Sequence, residues 1–195
     1  MKPYEPNRLP LDSIDWSSHV PLIGRANAAL ARYDGMLQSI VNPGVLLSPL
    51  TIQEAVLSSR IEGTQASMEE VLEYEADPME PIEPSRRADI QEIINYRVAM
   101  GHAVDELSTR PFSLNLLRTL HEILLDSVRG RDKARGRFRM SQNYIAPPGE
   151  SIEHATYIPP EWEQVEPAMD NWERYYHYDE KDPLVQLAIV KAQYI

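Results

Sequence analysis

The segment around which the fold prediction is built reads Ser58-Ser59-Arg60-Ile61-Glu62-Gly63-Thr64. It ends a predicted helix, which Ser48 can cap and which Pro49 suits as the first residue because its φ is already helical. Gly63 is the predicted stop, since glycine enters the left-handed conformation at little steric cost. Glu62 therefore lies on the last turn, where the helix dipole disfavours negative charge. Such a carboxylate either waits for a cation from elsewhere or is simply solvated, and the local physics favours the second interpretation.

Helical periodicity continues on both sides of this segment. Apolar spacing predicts helices over residues 22–37, 86–107 and 113–128. In the helix that ends at Gly63, the same spacing places four residues on one face, namely Ile52, Ala55, Val56 and Ser59. A capping box formed by Ser67 and Glu70 starts a further short helix. Asp182 and Pro183 begin a last helix that is apolar on nearly every side, as is typical of a core helix. Residues 1–21 read as an extended arm, and the proline-rich residues 77–84 read as a linker.

One stretch carries a β signal. Residues 140–145 and 155–158 are short runs rich in β-branched and aromatic residues, and Pro147-Pro148-Gly149 separates them. The pattern predicts a β-hairpin. Its outer edge would be free to pair with an extended peptide, which is a known recognition mode.

Composition excludes several classes of protein. A length of 195 residues suits one domain, with or without appendages, and 43% hydrophobic residues suffice for a core. With no Cys, the chain has no disulfide, thiolate metal site or Cys nucleophile. A net charge of -11 argues against a nucleic-acid-binding face. Because we find no signal peptide and no membrane-spanning run, we expect a cytoplasmic protein without nucleic-acid or membrane partners.

Other catalytic patterns are weak or absent. His121-Glu122 begins like a zinc-protease helix, but Leu125 stands where the second His must be. No Walker or dinucleotide glycine pattern occurs, and no spacing of Asp and Glu singles out an acid and a base. The basic segment Arg129–Arg139 either contacts an anion or is a solvated loop, and both interpretations are open.

The pattern Ser-x-x-x-Glu-Gly, at Ser58, Glu62 and Gly63, resembles the inhibitory helix motif of Fic-domain proteins. It is similar to the class in which that helix precedes the catalytic core. Residues 187–195 resemble the helix before the family's catalytic loop. The segments that resemble the entry and exit of the family's flap hairpin are Gly136-Arg137-Phe138-Arg139, Gln142-Asn143, Ala155-Thr156 and Ile158-Pro159-Pro160.

The resemblance implies a mainly α-helical fold, namely a Fic-like helical bundle with one β-hairpin flap. Residues 1–78 would be the Fic N-terminal domain with its inhibitory helix, and residues 79–195 the first part of the Fic core with the flap. The implied activity is transfer of AMP from ATP, with Mg²⁺, to a Ser, Thr or Tyr hydroxyl of a protein. Self-modification and a homodimer are further expectations.

The resemblance also implies roles for individual residues. Glu62, with Ser58 and Gly63, would restrain the activity by competing with ATP for an Arg that otherwise holds the γ-phosphate. The flap would position the protein substrate by strand pairing through Ser151, Ile152, Ala155, Thr156, Tyr157 and Ile158.

The family's defining motif, His-Pro-Phe-x-Asp-Gly-Asn-Gly-Arg, is absent from the chain. We expect it to lie beyond Ile195, so that the chain is truncated before the catalytic loop. On that expectation the chain has no catalytic residue and no metal ligand, and it binds neither ATP nor Mg²⁺ by itself. The alternative is a non-enzymatic module that presents Glu62 to a separate Fic core.

Overall fold

The computed structural model describes residues 2–61, 63–79, 81–126 and 134–194. Over these ranges the chain is mainly α-helical, as predicted, and contains no regular strand. Its contacts divide it into two compact units, one of Ile40–Arg137 and one that joins Met1–Ser39 to Phe138–Ile195. The described helices are α1 (Trp16–Gln38), α2 (Pro43–Ile61), α3 (Met68–Ala76), α4 (Pro84–Leu107), α5 (Leu114–Leu124), α6 (Trp162–Tyr176) and α7 (Pro183–Tyr194).

Several helix starts follow the predicted capping signals. The capping box of α3 is confirmed, because Ser67 N–H donates to Glu70 Oε2 (2.7 Å) and Glu70 N–H donates to Ser67 Oγ (3.2 Å). At α7, the Asp182 carboxylate accepts from the amides of Leu184 and Val185, at 3.0 and 3.1 Å. Both arrangements satisfy backbone donors that have no partner inside the helix.

Two helices begin earlier than predicted, and each contains the proline that was expected to limit it. α1 begins at Trp16 because Asp15 caps it, accepting from Ser18 N–H at 3.3 Å, and Pro21 therefore lies inside the helix. α2 begins at Pro43, so Pro49 is internal and is not the first residue. Asp15 is a cap upstream of Pro21, and Pro43 suits the first position of α2 because its φ is already helical. In both helices the internal proline removes one backbone donor without ending the helix.

The unit Ile40–Arg137 has a core between α2, α3 and α4, against which α5 also packs. The predicted face of α2 is confirmed, since all four of its residues are buried. Burying each large aliphatic side chain contributes about 1.5–3 kcal/mol relative to leaving it exposed. The buried apolar cluster comprises Ile52, Ala55, Val56, Ala66, Val71, Ile90 and Ile93.

The other unit is built on α6 and α7, with α1 against α7. Trp172 is buried and its Nε1–H donates to the carbonyl of Val190 (2.8 Å). The prediction that α7 is a core helix holds only in part, because Val190 is buried whereas Leu187 is 59% exposed. Helix α1, all of whose residues are described, has no buried residue, so its predicted apolar stripe faces outward in this chain.

The predicted β-hairpin is wrong as a pair of regular strands. One isolated antiparallel bridge joins Ile145 to Tyr157, and a 3₁₀ turn forms at Ile152–His154. Prolines at 147, 148, 159 and 160 remove four backbone donors from this short stretch. A ladder therefore cannot extend beyond the bridge.

No single helix within the described ranges is both long and apolar enough to cross a bilayer, although α1 and α2 meet those requirements as a bent pair.

Candidate functional site

The C-terminal end of α2 has the predicted glycine stop. Gly63 has a φ of 99°, which is the left-handed region that glycine adopts most readily. Its N–H donates to the carbonyl of Arg60 (3.0 Å), and Thr64 N–H donates to the carbonyl of Ser59 (3.1 Å). These bonds satisfy carbonyls at the helix end and turn the chain away from the axis of α2.

Two carboxylates of α4 anchor the chain directly after this turn. Thr64, only 1% exposed, donates its hydroxyl to Glu92 Oε2 (2.8 Å). Gln65 N–H donates to the buried carboxylate of Asp89, also at 2.8 Å. A buried carboxylate is tolerated because it is hydrogen-bonded. We call this group, Thr64, Gln65, Asp89 and Glu92, the α4 anchor.

The inhibitory role of Ser58, Glu62 and Gly63 stays a prediction, and the structure describes two of the three residues. Gly63 forms the helix stop, and the Ser58 hydroxyl donates to Glu54 Oε1 at 2.8 Å, one turn back on α2. Glu62 lies outside the described residues, so its inhibitory role stays a prediction. Asp89 and Glu92 were not predicted from the sequence, because the residues that they bind lie 24 and 28 positions away.

Residues 139–160, the flap segment, form a loop that side chains close at its base. Arg139 donates from Nη2 to the carbonyl of Pro160 and from Nη1 to the carbonyl of Ser141 (3.2 Å). Gln142 Nε2 donates to the carbonyl of Pro159 at 3.1 Å. Bonds from side chains to backbone thus replace the missing strand ladder at this end of the loop.

Farther from the base, the bridge holds the two arms of the flap segment together. Ile145 N–H donates to the carbonyl of Tyr157 (2.8 Å), and Thr156 N–H donates to the carbonyl of Ile145 (2.7 Å). Of the predicted target-positioning residues, Ala155 and Ile158 are buried. The others are exposed, namely Ser151, Ile152, Thr156 and Tyr157.

An open recess of about 430 Å³ lies along the bridge. Its lining offers amide groups and aromatic rings and carries no formal charge, which suits an uncharged extended segment better than an anion. The lining residues are Gln142, Asn143, Tyr144, Ile145, Tyr157 and Pro159.

In the described part of the basic segment Arg129–Arg139, Arg135 makes contacts within the chain. Arg135 donates from Nε (3.2 Å) and Nη2 (3.1 Å) to the carbonyl of Glu122, and its Nη1 pairs with Asp126 at 2.9 Å. These bonds cap the end of α5, where a cation is favoured by the helix dipole. Residues 127–133 lie outside the described ranges.

Gly136 completes this capping turn. Its φ is 67°, and a Cβ there would lie 3.2 Å from the carbonyl oxygen of Arg118, so the turn requires glycine. Its N–H donates to His121 Nδ1 at 3.0 Å, so that nitrogen acts as an acceptor. His121 therefore holds the turn beside α5, as a structural residue.

Within the ranges that the structure describes, no group of three or more His, Asp and Glu residues lies close enough to hold a metal ion.

Two models of one protein family match the chain. Residues 20–105 match the Fic/DOC family N-terminal model, and residues 111–195 match the Fic/DOC family model. The first match includes α2, α3 and the α4 anchor, and the second includes the flap segment, α6 and α7.

Proposed function

The chain belongs to the Fic/DOC family, and we propose that it is the regulatory and target-holding part of a protein AMP-transferase. The reaction is transfer of AMP from ATP to a Ser, Thr or Tyr hydroxyl of a protein. The Fic match over residues 111–195 carries this proposal. Under this proposal, the described helices contribute to a Fic-like bundle, and the protein works in the cytoplasm.

The residues of this chain do not by themselves fit an ATP–Mg²⁺ site. No His in the sequence is followed by Pro-Phe, and the glycine and asparagine loop that would hold phosphates is absent. The described residues also offer no cluster of metal ligands. We therefore assign no step of the transfer to this chain, and its proposed contributions are restraint of the reaction and placement of the target.

The proposed restraint comes from Glu62. Its place directly after α2 is electrostatically unfavourable for a carboxylate, and a guanidinium from the catalytic core would relieve that cost. If the same guanidinium binds the γ-phosphate of ATP, the two anions compete for it. The α4 anchor supports the proposal, because it holds the backbone at Thr64 and Gln65, immediately beyond Glu62.

The proposed target site is the flap segment. A substrate loop bound in extended form would present its hydroxyl while its backbone pairs with the flap. The support is the exposure of Thr156 and Tyr157 beside the open recess, together with the closed base that keeps the loop in shape. Such pairing uses hydrogen bonds to the backbone of the target, which hardly depend on its side chains. This site would therefore position a target more than it would select one target over another.

The test uses a single polypeptide in which this chain is joined to a Fic catalytic loop. Glu62→Gly should raise self-modification with labelled ATP about 10- to 100-fold, because a lost charge-assisted bond is worth about 1.5–3 kcal/mol. Glu73→Gly, the same change at an exposed position of α3, is the matched control and should behave as wild type. Equal incorporation by Glu62→Gly and wild type would show that the inhibitory assignment is wrong.

A second candidate function is inhibition of a separate Fic core by this chain. The observation that favours it is that Ile40–Arg137, which contains α2 and the α4 anchor, has a hydrophobic core of its own. Adding the purified chain to an active Fic core should then lower AMP transfer, and Glu62→Gly should abolish that effect. If the chain leaves transfer unchanged, this candidate is eliminated.

A further inference from the structure

The N-terminal arm lies along the flap segment. Tyr4 N–H donates to the carbonyl of Ile158 at 2.8 Å. The rings of Tyr4 and Tyr157 have their centroids 6.3 Å apart, within the range of aromatic pairs. The arm therefore contacts the flap segment through both its backbone and a side chain.

The arm is anchored at its far end. Leu9 is 5% exposed and exchanges two hydrogen bonds with the side chain of Asn171: its N–H donates to Oδ1 (2.8 Å), and its carbonyl accepts from Nδ2 (2.7 Å). Nearer its start, Pro3 lines an open recess of about 340 Å³ beside Ile152 and Ile158. Because Pro3 and Leu9 are both in contact with the protein, Tyr4 between them stays close to the flap segment.

The arm and the bridge use opposite edges of the same short stretch. In extended backbone, successive carbonyls point to opposite sides. The carbonyl of Tyr157 accepts from Ile145, so the carbonyl of Ile158 faces the other edge, where Tyr4 is bound. A peptide that adds to this outer edge needs the carbonyl that the arm already occupies.

We propose that residues 2–5 are an internal ligand of the flap segment, which an extended peptide must displace in order to pair with the outer edge. The proposal rests on the proposed function, since it takes the flap to be the target site. It adds that the outer edge accepts an extended segment with an aromatic side chain packed near Tyr157. Because Tyr4 is 46% exposed and makes one backbone hydrogen bond to the flap, the contact is weak enough to be displaced.

Tyr4→Pro tests the proposal in the full chain. Proline removes the N–H that Ile158 accepts and also the ring, while the Leu9 anchor remains. The probe is a fluorescein-labelled peptide of the arm's own sequence, Lys-Pro-Tyr-Glu-Pro-Asn, and binding is followed by anisotropy. We expect Tyr4→Pro to bind it at least about 10-fold more tightly than wild type, because a short tether gives the arm a millimolar effective concentration.

The matched control is Glu5→Pro, which leaves the N–H and ring of Tyr4 in place and should bind the peptide as wild type does. On the flap side, Tyr157→Ala in the Tyr4→Pro chain should weaken peptide binding, whereas Tyr144→Ala, on the other side of the bridge, should not. Equal peptide affinity for wild type and Tyr4→Pro, or no binding to either, would overturn the proposal. Equal losses from Tyr157→Ala and Tyr144→Ala would also overturn it.

AMP transfer by the polypeptide that joins this chain to a Fic catalytic loop separates this inference from the proposed function. Peptide competition without any AMP transfer would overturn the proposed function and support the arm as a ligand. AMP transfer with no difference in peptide affinity between wild type and Tyr4→Pro would overturn the inference alone.

Discussion

Thr64 places a hydroxyl in a nearly dry environment and donates it to Glu92, 28 residues away in sequence. Replacement by Val keeps the shape and removes the donor. We expect Thr64→Val to lower the free energy of unfolding by about 1–2 kcal/mol, measured by urea denaturation, because Glu92 loses a charge-assisted bond. Thr51→Val, at an exposed position of α2, should change it by less than about 0.5 kcal/mol. Similar losses in the two variants would contradict the role of the α4 anchor.

Tyr175 links the stability of its unit to alkaline pH. Burial, followed by its hydrogen bond to Glu180 and the charge of that carboxylate, raises the pKa of Tyr175 from 10.0 to about 12. The protonated phenol is therefore favoured by folding. The stabilisation is fully present below pH 10 and is lost as pH rises from about 10 through about 12.

The corresponding variant is Tyr175→Phe, which removes this titration and one hydrogen bond. We expect it to be less stable than wild type by about 1 kcal/mol at pH 7. Its free energy of unfolding should then fall less steeply than that of wild type between pH 10 and pH 12. Tyr33→Phe, on exposed α1, serves as the control. Parallel pH profiles for Tyr175→Phe and wild type would refute the assignment.

The conformation and hydrogen bonds of single residues were predictable from the sequence where they depend on neighbouring residues. Gly63 as a left-handed stop and Ser67 with Glu70 as a capping box depend on residues within one turn. Asp89 and Glu92 were not predicted, because their partners Gln65 and Thr64 are 24 and 28 residues away. Polar residues that pair over a long distance in the sequence produce no periodic pattern from which the pair could be predicted.

Among the elements, α7 begins at a cap formed by Asp182. Its carboxylate caps two amides of α7 and accepts from Asn27 Nδ2 of α1 (3.1 Å). We expect Asp182→Ala to destabilise the chain by about 1–2 kcal/mol in urea denaturation, and Asp182→Asn by less, since Asn is also a good cap. Asp179→Ala, at an exposed position before the helix, should have little effect. The idea fails if Asp182→Ala is as stable as Asp179→Ala.

At the scale of elements, the existence of the helices was predictable and their starts were not. Hydrophobic periodicity identifies the middle of a helix, whereas α1 starts at the Asp15 cap upstream of Pro21, and α2 has Pro43 rather than Pro49 as its first residue. The prediction of a β-hairpin was wrong because there, unlike in the helices, the prolines did prevent the predicted element. Its β-branched and aromatic residues favour strands, but the flanking prolines leave too few donors for a ladder beyond Ile145 and Tyr157.

Among the described residues, each of the two compact units has buried apolar side chains of its own. Ile93 is fully buried in the unit Ile40–Arg137, and Val190 is buried in the other. We expect Ile93→Ala to lower the free energy of unfolding by about 2–4 kcal/mol and to speed amide exchange first in residues 40–126. Hydrogen exchange with mass spectrometry is the measurement.

Val190→Ala is the reciprocal control, and it should speed exchange first in residues 138–194. If each variant speeds exchange equally in both units, the two cores do not unfold as separate units. The sequence did not predict this division, because the unit that joins Met1–Ser39 to Phe138–Ile195 is formed by the two ends of the chain. The predicted boundary at residue 78 was based on a proline-rich linker, which is a local signal, and as a boundary between family domains it stays a prediction.

The short tether of the N-terminal arm has a kinetic consequence. Tyr4 lies five positions before the anchored Leu9, and closing such a loop takes about 10–100 ns. A free peptide at about 10 µM, associating at about 10⁵–10⁷ M⁻¹s⁻¹, arrives only about 1–100 times per second. A released arm therefore returns many times before one peptide arrives, and the rate of target capture is proportional to the fraction of time that the arm is open.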